Sequence, residues 1–391
     1  MARRGKLILA AGAAGSLLFA LGLIGALWAG SDGGDAASIA ARNTLHPVAG
    51  TFQPDDTKLT DCDGEYRCLE QAFGNLAFRA GPKTAIRLFD ERIRADSKVE
   101  SGCHRIAHTI GSASLARFEG NVGVAFVNGS SSCWSGYYHG ILERAFTGVS
   151  EKSGLIRVAR GVCEGTDVRA TTWLAYQCVH GLGHGLMITT AYDLPFSLSV
   201  CDRLATAWDQ VSCTGGVFME NISSSYGIKS RWLRDNDLVY PCNTVAQRHK
   251  QYCYLMVTSR VLEANGYDWH AAARICRGVE RGWVATCFES FGRDASGSTR
   301  QTPSKIVPIC RIAGEHEGKC VYAAARDMTA NYGNGQRAST LCLRARAALR
   351  ERCFYGIGTI LETQEQAATC RRLSRRYAAA CLRGTQERFE S

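Results

Sequence analysis

The residues best suited to chemistry are two histidines four apart that follow directly on a cysteine, in Cys178-Val179-His180-Gly181-Leu182-Gly183-His184. On a helix, positions i and i+4 share one face, so both imidazoles reach the same place. Two earlier segments repeat the theme: His104 and His108 follow Cys103, and His139 and Glu143 follow Cys133. Imidazole suits zinc, copper and iron, and a helical pair of histidines is an established grip on such an ion. The expected ligands are therefore His104, His108, His139, Glu143, His180 and His184, and the expected cofactor is a transition metal: copper, iron or zinc. Five of the nine histidines fall between residues 104 and 184, which lifts this reading above a chance HxxxH match. Glu220, one repeat further on, is expected as a supporting or bridging carboxylate.

Two other readings compete. Histidines beside Gly140, Gly181, Gly183 and Gly185 also suit close helix packing, each imidazole bonding a backbone carbonyl. Glycine costs a helix about 1 kcal/mol, so the HGLGHG stretch also reads as a loop whose N–H groups cradle an anion. No P-loop, GxSxG or HExxH pattern is present. Every cysteine has a plausible partner, which argues against a cysteine nucleophile. Trp134, Tyr137, Tyr138, Trp173 and Tyr176 flank the histidines as pocket lining or as core.

The elements that must position these side chains are set by the cysteines. The chain has 391 residues and 18 cysteines, spread from Cys62 to Cys381, an even count that fits thiols paired in an oxidising compartment. Cys62 and Cys68 are close enough to bridge locally. From there the order is Cys163/Cys178, Cys201/Cys213, Cys242/Cys253, Cys276/Cys287, Cys310/Cys320, Cys342/Cys353 and Cys370/Cys381. A period of about 28–41 residues signals a solenoid of helical hairpins. The expected fold is all-α: one αα-hairpin per repeat, stapled by a disulfide from late in the first helix to early in the second. Pairing between adjacent repeats is the alternative. Registered on their cysteines, Gly136, Gly181, Gly216 and Gly356 stand three residues on, and His139 and His184 six. Equivalent positions of stacked repeats lie over one another, so His139 and His184 should face the same side. His108 stands five after Cys103, about 100 degrees out of that register.

The cysteine frame from about Cys201 to Cys381 loosely resembles the secreted, cysteine-rich members of the Sel1/tetratricopeptide-like repeat class. That resemblance implies an α-solenoid able to bind partners. It transfers no catalytic residue, and nothing in that class accounts for the histidines.

Before the repeats, Arg3, Arg4 and Lys6 precede an uncharged apolar run from Leu7 to Ala29, long enough for a bilayer-crossing helix. The expected organisation is an N-terminal transmembrane signal anchor over 1–30 and a linker over 31–60. His-rich helical repeats follow over 61–230, then stapled repeats with a basic end over 231–391. The expected topology is single-pass, with the N-terminus cytoplasmic and the bulk extracytoplasmic. Much of the +10 formal charge lies in Arg344, Arg346, Arg350, Arg352, Arg371, Arg372, Arg375, Arg376 and Arg383, a solvated face or a surface for an anionic envelope partner. No aromatic stacking pattern is interleaved with these arginines, so nucleic acid is not an expected partner. The expected function is a membrane-anchored metalloprotein with metal-dependent oxidoreductase chemistry open to it. The alternative is a non-enzymatic scaffold that binds a peptide, protein or envelope polymer, its histidines structural.

Overall fold

The computed structural model describes residues 52–130, 132–332, 334–361 and 365–386. The chain runs α1 (Tyr66–Ala80), α2 (Pro82–Ala95), α3 (Ser97–Ser101), α4 (Cys103–Arg117), α5 (Val122–Val127), α6 (Ser132–Ala145), α7 (Lys152–Gly161), α8 (Thr172–Thr189), α9 (Leu194–Cys201) and α10 (Ala207–Ile222). After an irregular segment come α11 (Gln247–Ala264), α12 (Trp269–Gly278), α13 (Val284–Ser298), α14 (Pro303–Ile312), α15 (Glu317–Tyr332), α16 (Gln336–Arg344), α17 (Ala347–Ile360), α18 (Gln366–Leu373) and α19 (Ala378–Gln386). No strand occurs among the described residues.

Local sequence fixes many of the helix starts. The side chains of Thr171, Asp193, Thr206 and Asp268 each accept a backbone N–H of the first turn they precede, the usual N-cap arrangement. The helices α1, α4, α6, α8, α10, α11, α13, α15, α17 and α19 stack side by side as one row, and the remaining helices, most of them shorter, cover it. The row curls enough for α15 to meet α6. Covering helices such as α12 are amphipathic; α12 buries only Ala272, Ala273 and Cys276. Row helices are enclosed far more completely, and α8 is buried at every residue from Gln177 to Thr189. The buried core is continuous from Phe52 to Cys381.

The seven disulfides expected from spacing, from Cys163–Cys178 to Cys370–Cys381, close loops of 10 to 15 residues. Each is worth roughly 3 kcal/mol through restriction of the unfolded chain. Cys62 bonds Cys68. Cys103–Cys133 is different: it joins the starts of two row helices, α4 and α6, instead of closing a hairpin. Cys242 also departs from the expected frame. It lies in the irregular stretch of residues 223–246, where Asp235, Asp237, Pro241 and Asn243 favour turns, and not late in a helix.

Glycine decides how closely the row packs. A methyl at Gly140 of α6 would lie 1.8 Å from the His108 carbonyl of α4, and one at Gly216 of α10 would lie 1.9 Å from the His180 carbonyl of α8. Backbones thus touch where the histidines sit. The HGLGHG stretch is not a loop: it is the middle of an 18-residue helix. The helix-propensity cost of its glycines is offset by the packing they permit.

The expected membrane helix over Leu7–Ala29, and residues 31–51 of the expected linker, lie outside the described residues. Among the described residues no helix is long and apolar enough to cross a membrane. The two longest, α8 and α11, have 18 residues each; α8 is interrupted by Gln177, His180 and His184, and α11 by charged residues from Arg248 to Glu263. The single-pass topology, the membrane tether and the extracytoplasmic placement derived from it have no span behind them in the described structure and are set aside. Residues 52–61 are not a free linker. Phe52 is buried in the core, and the amide of Asn75 on α1 holds Asp55 and Thr57.

Candidate metal centre

Three neighbouring row helices carry the five histidines: His104 and His108 on α4, His139 on α6, His180 and His184 on α8. Their rings meet in one cluster. Centroids lie 4.6 Å apart for His104/His108, 5.3 Å for His139 with either of those, 3.9 Å for His139/His184 and 5.2 Å for His180/His184. His108, His139, His180 and His184 are only 1–4 % exposed. The one-residue register shift of His108 is absorbed because the Cys103–Cys133 bond clamps α4 against α6 at their starts. Cys133, Trp134 and Ser135 have left-handed backbone, φ 52 to 62°, a conformation costing roughly 1–2 kcal/mol per residue. It directs the Cys133 carbonyl at His104, whose Nδ1 donates to it at 2.8 Å.

The hydrogen bonds fix which nitrogens face inward. His104 Nδ1 is committed to Cys133, and His108 Nδ1 to the Glu143 carboxylate. With both Nδ1 atoms serving as donors, each neutral ring presents a lone pair at Nε2, and these two Nε2 atoms face each other at 3.1 Å. Two lone pairs so placed repel unless a proton or a metal ion lies between them. Two nitrogens each about 2.1 Å from a tetrahedral ion would be about 3.4 Å apart, close to this spacing. On the other side His184 Nδ1 donates to Glu220 at 2.9 Å, while its Nε2 is buried with no protein partner. His180 bonds the Ser212 carbonyl and lies 3.4 Å from the Tyr176 hydroxyl. Neither ring nitrogen of His139 has a protein partner.

Clustered side chains capable of coordinating a metal ion are therefore present. One ring nitrogen each of His104, His108 and His139 lie within 4.8 Å of one another, and so do those of His139, His180 and His184, with the His139 and His184 rings stacked. Glu143 stands one step back, behind His108, and so does Glu220, behind His184. A carboxylate on the far nitrogen of a ligating histidine fixes its tautomer and raises its basicity.

Electrostatics follow this geometry. Burial, then the neighbouring His108, push His104 down to about 3; burial, then His184, do the same to His180. His139 is lowered further by burial and by the surrounding imidazoles. Burial also works against a charge on His108, but the Glu143 charge and hydrogen bond outweigh it and the net shift is upward.

The spacing of the histidines does not reveal what holds the carboxylates. Tyr226 donates to Glu143 at 2.5 Å, and Tyr192 and Ser225 both bond Glu220. The polar run Ser223-Ser224-Ser225-Tyr226 directly after α10 is the only sequence signal, and nothing in it points back to His108. No protein-family model, curated protein or solved structure matches this chain. What the centre does follows from its own donor set.

Proposed function

We propose that the chain is a non-enzymatic helical-repeat scaffold whose buried histidine centre holds a transition-metal ion, zinc, copper or iron, as a structural clasp across α4, α6 and α8. The observation that carries this is the pair of Nε2 atoms of His104 and His108, turned toward each other at 3.1 Å by acceptors behind both rings. Imidazole nitrogens without thiolate suit these three metals, and every described cysteine is in a disulfide.

The membrane-anchored oxidoreductase expected from the sequence is corrected on two counts. No described helix crosses a membrane. Glu143, the carboxylate expected as a ligand, has its oxygens engaged by His108 and Tyr226, and four of the five imidazoles are buried among packed helices, with His104 half-buried. Two surface pockets, of about 610 and 350 Å³, are lined by other residues. Three tryptophans of the later repeats are engaged within the fold. Trp232 donates to the Tyr192 carbonyl, Trp269 packs edge-on against Phe291 and Trp283 stacks on Tyr254.

Elemental analysis of the purified chain, with His184→Ala and His139→Ala alongside, tests the clasp. Stoichiometric metal in the wild type, its reduction in both variants and a lower thermal midpoint on chelation are expected. A wild type that binds no zinc, copper or iron, and whose midpoint ignores them, would overturn it.

A further inference from the structure

The donor set is larger than one ion needs. Three of the five histidines have Nδ1 committed, His104 to Cys133, His108 to Glu143 and His184 to Glu220, and keep Nε2 to give. His180 meets the Ser212 carbonyl and the Tyr176 hydroxyl and has a ring nitrogen within 4.8 Å of those of His139 and His184. His139 differs because both its nitrogens are buried without a protein partner, and it is the member common to the two triads. A single ion would take one nitrogen of His139 and leave the other buried and unpaired, at a cost of about 1–3 kcal/mol. The charges are divided in the same way. Glu143 stands behind the α4 pair and Glu220 behind the α8 pair, one carboxylate for each half, held in place by Tyr226 on one side and Tyr192 and Ser225 on the other.

We infer that the centre takes two ions bridged by the His139 imidazolate, one held with His104 and His108 and the other with His180 and His184. This rests on the metal-binding reading above and deepens it. Neutral His139 carries one N–H. Binding of the second ion replaces that N–H bond with a metal–nitrogen bond and releases the proton to solvent, with no change of oxidation state. The bridging anion and the two carboxylates offset three of the four positive charges of a divalent pair. The requirement for one shared, doubly unpartnered imidazole also accounts for a single histidine on α6 between two histidine pairs.

The test is a copper(II) titration of the full chain after removal of metal by a chelator, with copper counted by elemental analysis and followed by electron paramagnetic resonance. Two ions per chain are expected, the isolated-copper signal growing to one equivalent and collapsing at the second as the bridge couples the spins. His104→Ala, checked for its fold by circular dichroism, should hold one ion with an isolated signal. Saturation of the wild type at one ion would overturn the bridge and leave the clasp standing. Two ions with undiminished isolated signals would also overturn it. No bound copper, and none of zinc or iron in the same assay, would remove the clasp and the bridge together.

Discussion

Replacing Glu220 with glutamine changes little in shape and much in hydrogen bonding. The carboxylate is fully buried and accepts four bonds: Ser225 N–H at 2.9 Å and the Tyr192 hydroxyl at 2.7 Å on Oε1, His184 Nδ1 at 2.9 Å and the Ser225 hydroxyl at 2.6 Å on Oε2. The hydroxyls can rotate to accept, but the Ser225 backbone N–H cannot, so the amide oxygen must face it and the NH₂ group must face His184. His184 Nδ1 can accept from that NH₂ only by moving its proton to Nε2, the nitrogen an ion would need. The loss of charge-assisted bonds costs on the order of 1.5–3 kcal/mol of stability in the metal-free chain. Loss of the carboxylate behind His184 should also weaken metal binding about 10- to 100-fold. Urea unfolding of the metal-free protein and competition against a chromophoric chelator measure the two effects. Acidification gives a third readout. Burial alone would raise the Glu220 carboxyl, yet the His184 hydrogen bond and charge, with Ser225 and Tyr192, overrule it and hold it at about 2. A depressed carboxyl contributes stability above its unfolded value and loses it as pH falls through the folded one. Wild type should therefore lose this contribution between about pH 4.5 and 2, and Glu220→Gln should show none of that loss. A variant as stable as wild type at neutral pH, with unchanged metal affinity, would refute the role given to this carboxylate.

Gly140→Ala would set a methyl 1.8 Å from the His108 carbonyl, so α4 and α6 must separate. A loss of about 1–3 kcal/mol by denaturant unfolding and a fall in bound metal by elemental analysis are expected, and a neutral effect on both would contradict the packing described. Asp327 on α15 is pushed up to about 6 by burial, and its Oδ2 has no partner. A raised carboxyl makes the fold bind more protons than the unfolded chain, so its contribution falls as pH rises from about 4 to 6. Asp327→Asn should be more stable than wild type at pH 7, on the order of 2 kcal/mol by thermal unfolding, with the advantage gone near pH 4.

The stapled hairpins were legible because they are local. Nine residues between Cys310 and Cys320 leave room for little else than the end of one helix and the beginning of the next, and nearly the same spacing recurs to Cys381. The meeting of His139 with His184 was legible as well, since a six-residue offset from a stapled cysteine repeats in neighbouring layers. Three features were not. Cys103 pairs with Cys133 across 30 residues, a choice made by which helices stack. The helicity of HGLGHG depends on carbonyls of other helices approaching its glycines, which propensity cannot register. Tyr226 reaches Glu143 across 83 residues from a segment without periodicity. The apolar run Leu7–Ala29 supported a membrane reading on length alone, and no described helix shares that property.

A row of helices in which each touches mainly its neighbours behaves as a linear chain of weakly joined links. Such arrays fray from their ends and open piecemeal, one unit at a time. Ions held across α4, α6 and α8, as proposed, would alter that behaviour, because no one of the three could open without releasing metal held by the others. Their opening free energies would merge, and binding free energy would be added to all three at once. Amide hydrogen exchange in these helices would then slow as a block when metal is present, with protection falling away toward α19. On that proposal the histidines would set the length over which the repeat array acts as one body.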